Sequence, residues 1–201
     1  HVMARRQRQM CIRDRSYGDM DPAVAAPYAC SGLTAYSALK KIPKTSVDDW
    51  IIIIGAGGVG INGILLSPAI HNAKILVIDN DKEKREKAIE AGADQAFSPE
   101  DEETIRKIIG IGAVAAIDFV GMPQTTDFGL SLIKKGGMVI VVGLYGGSLK
   151  MSLPLVPMRS ITLRGSYVGE LRELKELVEI IKSGKIKPVS YTHLTLPTSH
   201  N

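Results

Sequence analysis

The stretch Trp50 to Gly60, WIIIIGAGGVG, restricts the fold more than any other part of the chain. A continuous apolar, β-branched run of this kind suits a strand buried on both faces of a parallel sheet, and it leads straight into glycines. Gly55, Gly57 and Gly60 have the spacing G-x-G-x-x-G. That spacing permits a tight turn, close approach of the backbone to a pyrophosphate, and tight packing of the following helix on the strand. A phosphate then sits at the positive helix end, beside Gly58 and Val59. The glycines alone are equally consistent with a purely structural turn.

Context favours the binding reading. A second strand, Lys74 to Asp79, ends in an acidic residue nineteen positions after Gly60. A carboxylate there can accept hydrogen bonds from the adenosine ribose hydroxyls and repels a 2′-phosphate, which favours NAD over NADP. Lys84 can reach the same ribose, or be a solvated helix charge. Further strands are expected at Ala115 to Val120, Met138 to Gly143, Ser160 to Arg164 and Gln95 to Ser98. Helical patterns lie between them at 59–70, 82–91, 102–109, 125–133 and 170–183. Pro68 predicts a kink or early end in the first of these, and Gly92, Gly110 and Gly184 fall at expected helix ends. The alternation predicts an α/β fold, a doubly wound parallel sheet of about six strands (a Rossmann fold) with a linker helix before it. In such a sheet, ligands bind beyond the carboxyl ends of the strands. Val120, Gly121, Val142, Gly143, Leu144, Tyr167 and Val168 are therefore candidate cofactor contacts, although glycines also simply end strands.

Composition matters mainly for what it misleads about. The 201 residues carry 25 basic and 21 acidic side chains, a net charge of +4 that alone suggests a nucleic-acid or membrane partner. Five arginines and one aspartate within the first fifteen residues account for that whole excess, and Ser16 to Lys187 is neutral. The ends are also related to each other. A codon for each residue from Val2 to Arg15, reverse-complemented, can encode its counterpart from Asn201 back to Pro188. RRQRQMCIRDR and VSYTHLTLPT resemble translated transposase-adaptor sequence from DNA library preparation. Residues 1–15 and 188–201 are therefore expected to be adaptor-like artefacts. A basic targeting arm is the competing reading for the first segment, and it leaves the matching far end unexplained. The expected organisation is then a linker helix over 16–46 and a cofactor domain over 47–187. Neither a nucleic-acid partner nor a membrane is expected. Two cysteines, Cys11 and Cys30, give no disulfide framework and suit a reducing compartment, so the expected location is cytoplasmic.

Upstream, Ala26 to Tyr36 reads APYACSGLTAY. With VDDWIIIIGAGGVG, ILVIDND, EAGAD, AAIDFVG, LIKKGGMVIVVGLYGG, LRGSYVG and SGKIKP, it resembles the zinc-dependent alcohol dehydrogenases of the medium-chain dehydrogenase/reductase superfamily. The likeness covers nearly all of Ser16 to Lys187. It implies NAD as cofactor, zinc in the full-length enzyme, and a small-molecule alcohol as substrate. It also implies that Cys30 matches the third protein ligand of the catalytic zinc, and that Thr34 matches a catalytic-site threonine near the nicotinamide. Read by residue type alone, Cys30 is more simply a small buried hydrophobe. The family's substrate domain, with its other zinc ligands, has no counterpart in the sequence. His71, the one histidine within Ser16 to Lys187, reads as an ordinary surface residue. The chain is thus expected to be a cofactor-binding half that holds NAD weakly and turns over no alcohol. Met151 to Pro157 and the strand after it resemble the segment through which relatives form homo-oligomers. Two alternatives differ in class: a zinc-free quinone or enoyl reductase of the same superfamily, and a non-catalytic nucleotide-binding module. Cys30 and Asp79 weigh against the first.

Overall fold

A computed structural model describes residues 26–184 and 186. The end segments 1–15 and 188–201, and the first part of the expected linker, lie outside the described residues.

Six strands form one all-parallel sheet in the order β3-β2-β1-β4-β5-β6. They are β1 Trp50–Ile54, β2 Lys74–Ile78, β3 Gln95–Phe97, β4 Ala113–Asp118, β5 Ile133–Val141 and β6 Thr162–Gly165. The helices are α1 Ser31–Leu39, α2 Gly58–Leu66, α3 Lys82–Glu90, α4 Glu102–Ile109, α5 Pro123–Leu132, α6 Leu155–Arg159 and α7 Leu171–Lys182. The order reverses between β1 and β4, which opens a crevice beyond their carboxyl ends.

The isoleucines of β1 show why the run must be apolar throughout. Ile51 and Ile53 face one core with α1, α2, α3 and α7, while Ile52 and Ile54 face the other with α4 and α5. Successive strand side chains point to opposite faces, so covering both faces leaves no position for a polar residue. Each isoleucine so buried contributes roughly 1.5–3 kcal/mol.

Several boundaries differ from the sequence expectation. β4 begins and ends two residues early, so Val120 belongs to the turn rather than the strand. β5 begins at Ile133, because the KKGG stretch still extends along the sheet, with a register irregularity opposite Ala113 to Ala115. α2 stops at Leu66 and passes into a 3-10 turn, Ser67–Ala69, that contains Pro68, as that proline predicts. α6 has no counterpart in the expected elements. The expected helix-end glycines Gly92, Gly110 and Gly184 all have positive φ.

α1, expected as a linker helix, packs onto the helices on one face of the sheet. It lies along α2 and contacts α7, with Tyr36, Ala38 and Leu39 buried. Tyr36 Oη donates to Glu176 of α7 at 3.1 Å, and Lys40 and Arg172 pair with the same carboxylate. Burial, then the hydrogen bond to Glu176 and that carboxylate's charge, push the Tyr36 phenol up to about 12.

His71 departs from the surface reading: only 7% of it is exposed. The 3-10 turn after α2 folds the chain back, and His71 Nε2 lies 2.9 Å from the Leu39 carbonyl at the end of α1, which it meets as donor. Burial lowers its pKa, so the neutral ring is the form the fold accommodates.

Candidate functional site: the crevice beyond the strand ends

The glycine turn has a different demand at each position. Gly55 has φ +92°, and its N–H donates to Ile78 O at 2.8 Å, extending the β1–β2 ladder. A Cβ on Gly60 would overlap the Gly55 carbonyl oxygen and lie 3.0 Å from its carbon, so α2 meets the turn backbone to backbone. Gly57 and Gly58 face open space, with no atom within 4 Å of a Cβ placed there. The exposed pair thus leaves the first turn of α2 unobstructed, as an incoming anion requires. Val59 follows, half-buried against the core.

Asp79 follows directly on β2 and is half-buried. Its Oδ2 accepts from Ala56 N–H at 2.8 Å and its Oδ1 from Asp81 N–H at 2.9 Å. The carboxylate therefore ties the glycine turn to the end of β2. Each of its oxygens has one of its two acceptor positions left for a ribose hydroxyl. Arg85 Nη1 donates to the carbonyls of Asp79 and Asn80 at 2.7 and 2.8 Å, fixing the same corner. Lys84 is exposed on the first turn of α3, where Asp81 caps the helix.

The turns after β4 and β5 close on each other. A Cβ on Gly121, which has φ +76°, would overlap the Gly143 carbonyl, and Val120 Cγ2 lies 2.8 Å from where a Gly55 Cβ would be. Tyr145 N–H donates to Val120 O at 3.3 Å and Gly146 N–H to Gly121 O at 3.2 Å. Val142 is buried, while Leu144 and Tyr167 project into solvent. The segment after β6 is held by Ser166, whose N–H donates to Val141 O at 2.9 Å and whose Oγ accepts from Lys41 Nζ at 3.0 Å. Val168 there has a positive φ of 52° and packs against the α1 side of the core.

Cys30 is exposed at the N-terminus of α1, a free thiol rather than the buried hydrophobe its residue type suggests. Thr34 Oγ1 donates to Cys30 O at 2.7 Å. Among the described residues, no group of three or more His, Cys, Asp or Glu is placed to hold a metal. A catalytic zinc needs three protein ligands, so the donors described here do not fit that ion.

Two site residues escaped the sequence reading. Asn62 is buried in α2, and its Nδ2 donates to Ser31 Oγ at 3.1 Å and Gly58 O at 2.9 Å, joining the first turns of α1 and α2. A polar residue amid GVGINGILL was the available signal. Asp118 ends β4 fully buried, and its Oδ1 accepts from Val120 and Gly121 N–H, both at 2.9 Å. Placing it within a strand concealed this Asx-type turn.

The comparisons with known proteins agree with this geometry. The sequence model of the zinc-binding dehydrogenases matches residues 58–183. A NAD-dependent alcohol dehydrogenase of Sulfolobus acidocaldarius is 36% identical over 186 residues, covering 91% of this chain and 54% of that protein. The crystal structure of a D-arabinose dehydrogenase from Sulfolobus solfataricus superposes with a TM-score of 0.80 at 32% identity, over 86% of this chain and 55% of that one. An acetophenone reductase from Geotrichum candidum, solved in complex with NAD, gives 0.72 at 28% identity, over 85% and 48%. The chain spans about half the length of the relatives it matches. With its strand order and glycine turn, the chain belongs to the zinc-binding dehydrogenases of the medium-chain dehydrogenase/reductase superfamily, as the cofactor-binding half of their fold.

Proposed function

We propose that residues 47–187 form the NAD-binding domain of an NAD-dependent zinc alcohol dehydrogenase, with 16–46 as a linker to a substrate domain, and that the chain alone is catalytically silent. The observation that carries the NAD reading is the division of labour within the turn: Gly60 is closed against Gly55, while Gly57 and Gly58 stand open before α2. Gly55, Gly57, Gly58, Val59 and Gly60 would seat the pyrophosphate, and Asp79 with Lys84 the adenosine ribose. Val120, Gly121, Val142, Gly143, Leu144, Tyr167 and Val168 would line the nicotinamide side, with Thr34 near the reacting ring. When bound, NAD supplies a nicotinamide carbon that accepts hydride from an alcohol as the alcohol loses its proton. The chain's own contribution is to hold and orient that ring and to select a cofactor without a 2′-phosphate, through Asp79.

Cys30 would supply one zinc ligand, completed by residues from another segment. Because one donor cannot hold zinc, the purified chain should oxidise no alcohol even with zinc added. Sustained NADH production in that assay would contradict the reading. The exposed edge strand β6, with Leu153, Met158 and Leu163 nearby, supports pairing of two cofactor domains into a homo-oligomer. The low cysteine count of the sequence, Cys11 and Cys30 alone, supports a reducing, cytoplasmic setting.

Gly57→Ala separates binding from folding. Its side chain meets nothing in the protein, so stability should change by about 1 kcal/mol or less, the loss of a glycine N-cap. NADH affinity should fall about tenfold or more, since the methyl occupies the pyrophosphate's approach. Equal affinity for NADH, measured by titration, would remove the turn from the site.

A further inference from the structure

Asp118 is fully buried and collects six donors. Its Oδ1 takes the N–H groups of Val120 and Gly121, both at 2.9 Å. Its Oδ2 takes the hydroxyls of Thr125 at 2.8 Å and Thr126 at 2.7 Å, on the first turns of α5. Its backbone carbonyl takes Val142 N–H at 2.9 Å and Gly143 N–H at 3.0 Å. One residue thus joins the turn after β4, the turn after β5 and the start of α5. No neutral side chain of this size offers four acceptor positions and no hydrogens.

We propose that Asp118 is the positioning residue for the nicotinamide half of the cofactor, acting through the Val120–Gly121 turn without touching the cofactor itself. The inference rests on the reading of this crevice as an NAD site. The turn it holds has little freedom of its own: Gly121 lies against Gly143, and Val120 against Gly55. A shift of the carboxylate is therefore passed on to both crevice turns rather than absorbed locally. Thr125 adds a second constraint, since its Oγ1 also accepts from Met122 N–H at 3.1 Å and sits 2.9 Å from Met122 O. The adenosine ribose would be held elsewhere, at Asp79, to which Asp118 makes no hydrogen bond.

This separation supplies the test. In Asp118→Asn the amide oxygen still accepts from Val120 and Gly121, but the NH2 group faces the two threonine hydroxyls, which must turn around and accept. The fold keeps its turn and loses its aim. Wild type and Asp118→Asn, as the full chain, would be titrated with NADH and with 5′-AMP, which is the adenosine half alone, following backbone amide shifts by NMR, which measures weak affinities. NADH affinity should fall about tenfold while 5′-AMP affinity changes less than about twofold. Thr126→Val removes one donor from the far oxygen and should give the same selectivity at smaller size, which keeps the test open if the asparagine variant does not fold. Loss of both affinities in proportion, or of neither, overturns the positioning role and leaves the NAD site standing. Wild type that binds neither ligand overturns the NAD site, and this inference with it.

Discussion

Replacing Gly60 by alanine is expected to destabilise the domain by about 3 kcal/mol or more, and to remove dinucleotide binding with it. The added methyl has nowhere to go, because it would lie 1.9 Å from the Gly55 carbonyl oxygen, and main chain cannot rotate away as a side chain can. Relief requires α2 to lift from β1. That motion would break the packing of Ile64 and Leu66, both buried on the sheet. Urea unfolding checks the stability loss. A midpoint within about 0.5 kcal/mol of wild type would mean that the helix does not meet the turn as described. The contrast with Gly57→Ala is the informative part: two glycines three residues apart in one motif should fail in opposite ways, one in folding and the other in binding.

Gly121→Ala should be comparably severe for two reasons that add. At φ +76° an L-residue is strained, costing about 1–2 kcal/mol. The methyl would also overlap the Gly143 carbonyl and lie 2.8 Å from Gly143 Cα, forcing the β4 and β5 turns apart. Overpacking of that kind adds about 1–3 kcal/mol, so a total loss of about 2–5 kcal/mol is expected in denaturant unfolding. A loss below about 1 kcal/mol would show that the two turns have room to separate. Gly63→Ala provides scale, since its methyl would meet side chains rather than main chain, the Phe119 ring at 3.1 Å and Ile53 Cδ1 at 3.5 Å, which can shift.

The sheet was legible in the sequence because its evidence is local and repeated. Trp50 to Ile54 and Lys74 to Ile78 read as buried strands from their short, β-branched apolar runs, and the glycine turn between strand and helix marked where the crevice opens. Pro68 marked the end of α2 because a proline cannot continue the helical ladder. What escaped were long-range partnerships of polar groups. Nothing adjacent to His71 says that the Leu39 carbonyl, 32 residues away, will accept from it. Asn62 similarly finds Ser31 only once α1 lies along α2. Asp118 was hidden by a two-residue shift in the strand boundary, which made the last residue of β4, a turn-forming carboxylate, look like one in mid-strand. For the site, the sequence placed the glycine turn and Asp79 by spacing. It gave no sign that the Asp79 carboxylate also braces that turn through Ala56.

Selection of NAD by this crevice is read out in a parallel titration of the chain with NADH and NADPH. Weak but saturable binding of NADH is expected, competed by ADP-ribose, with binding of NADPH at least about tenfold weaker, because a 2′-phosphate would meet the Asp79 carboxylate. Equal affinity for the two, or no saturable binding of either by a folded chain, would contradict it.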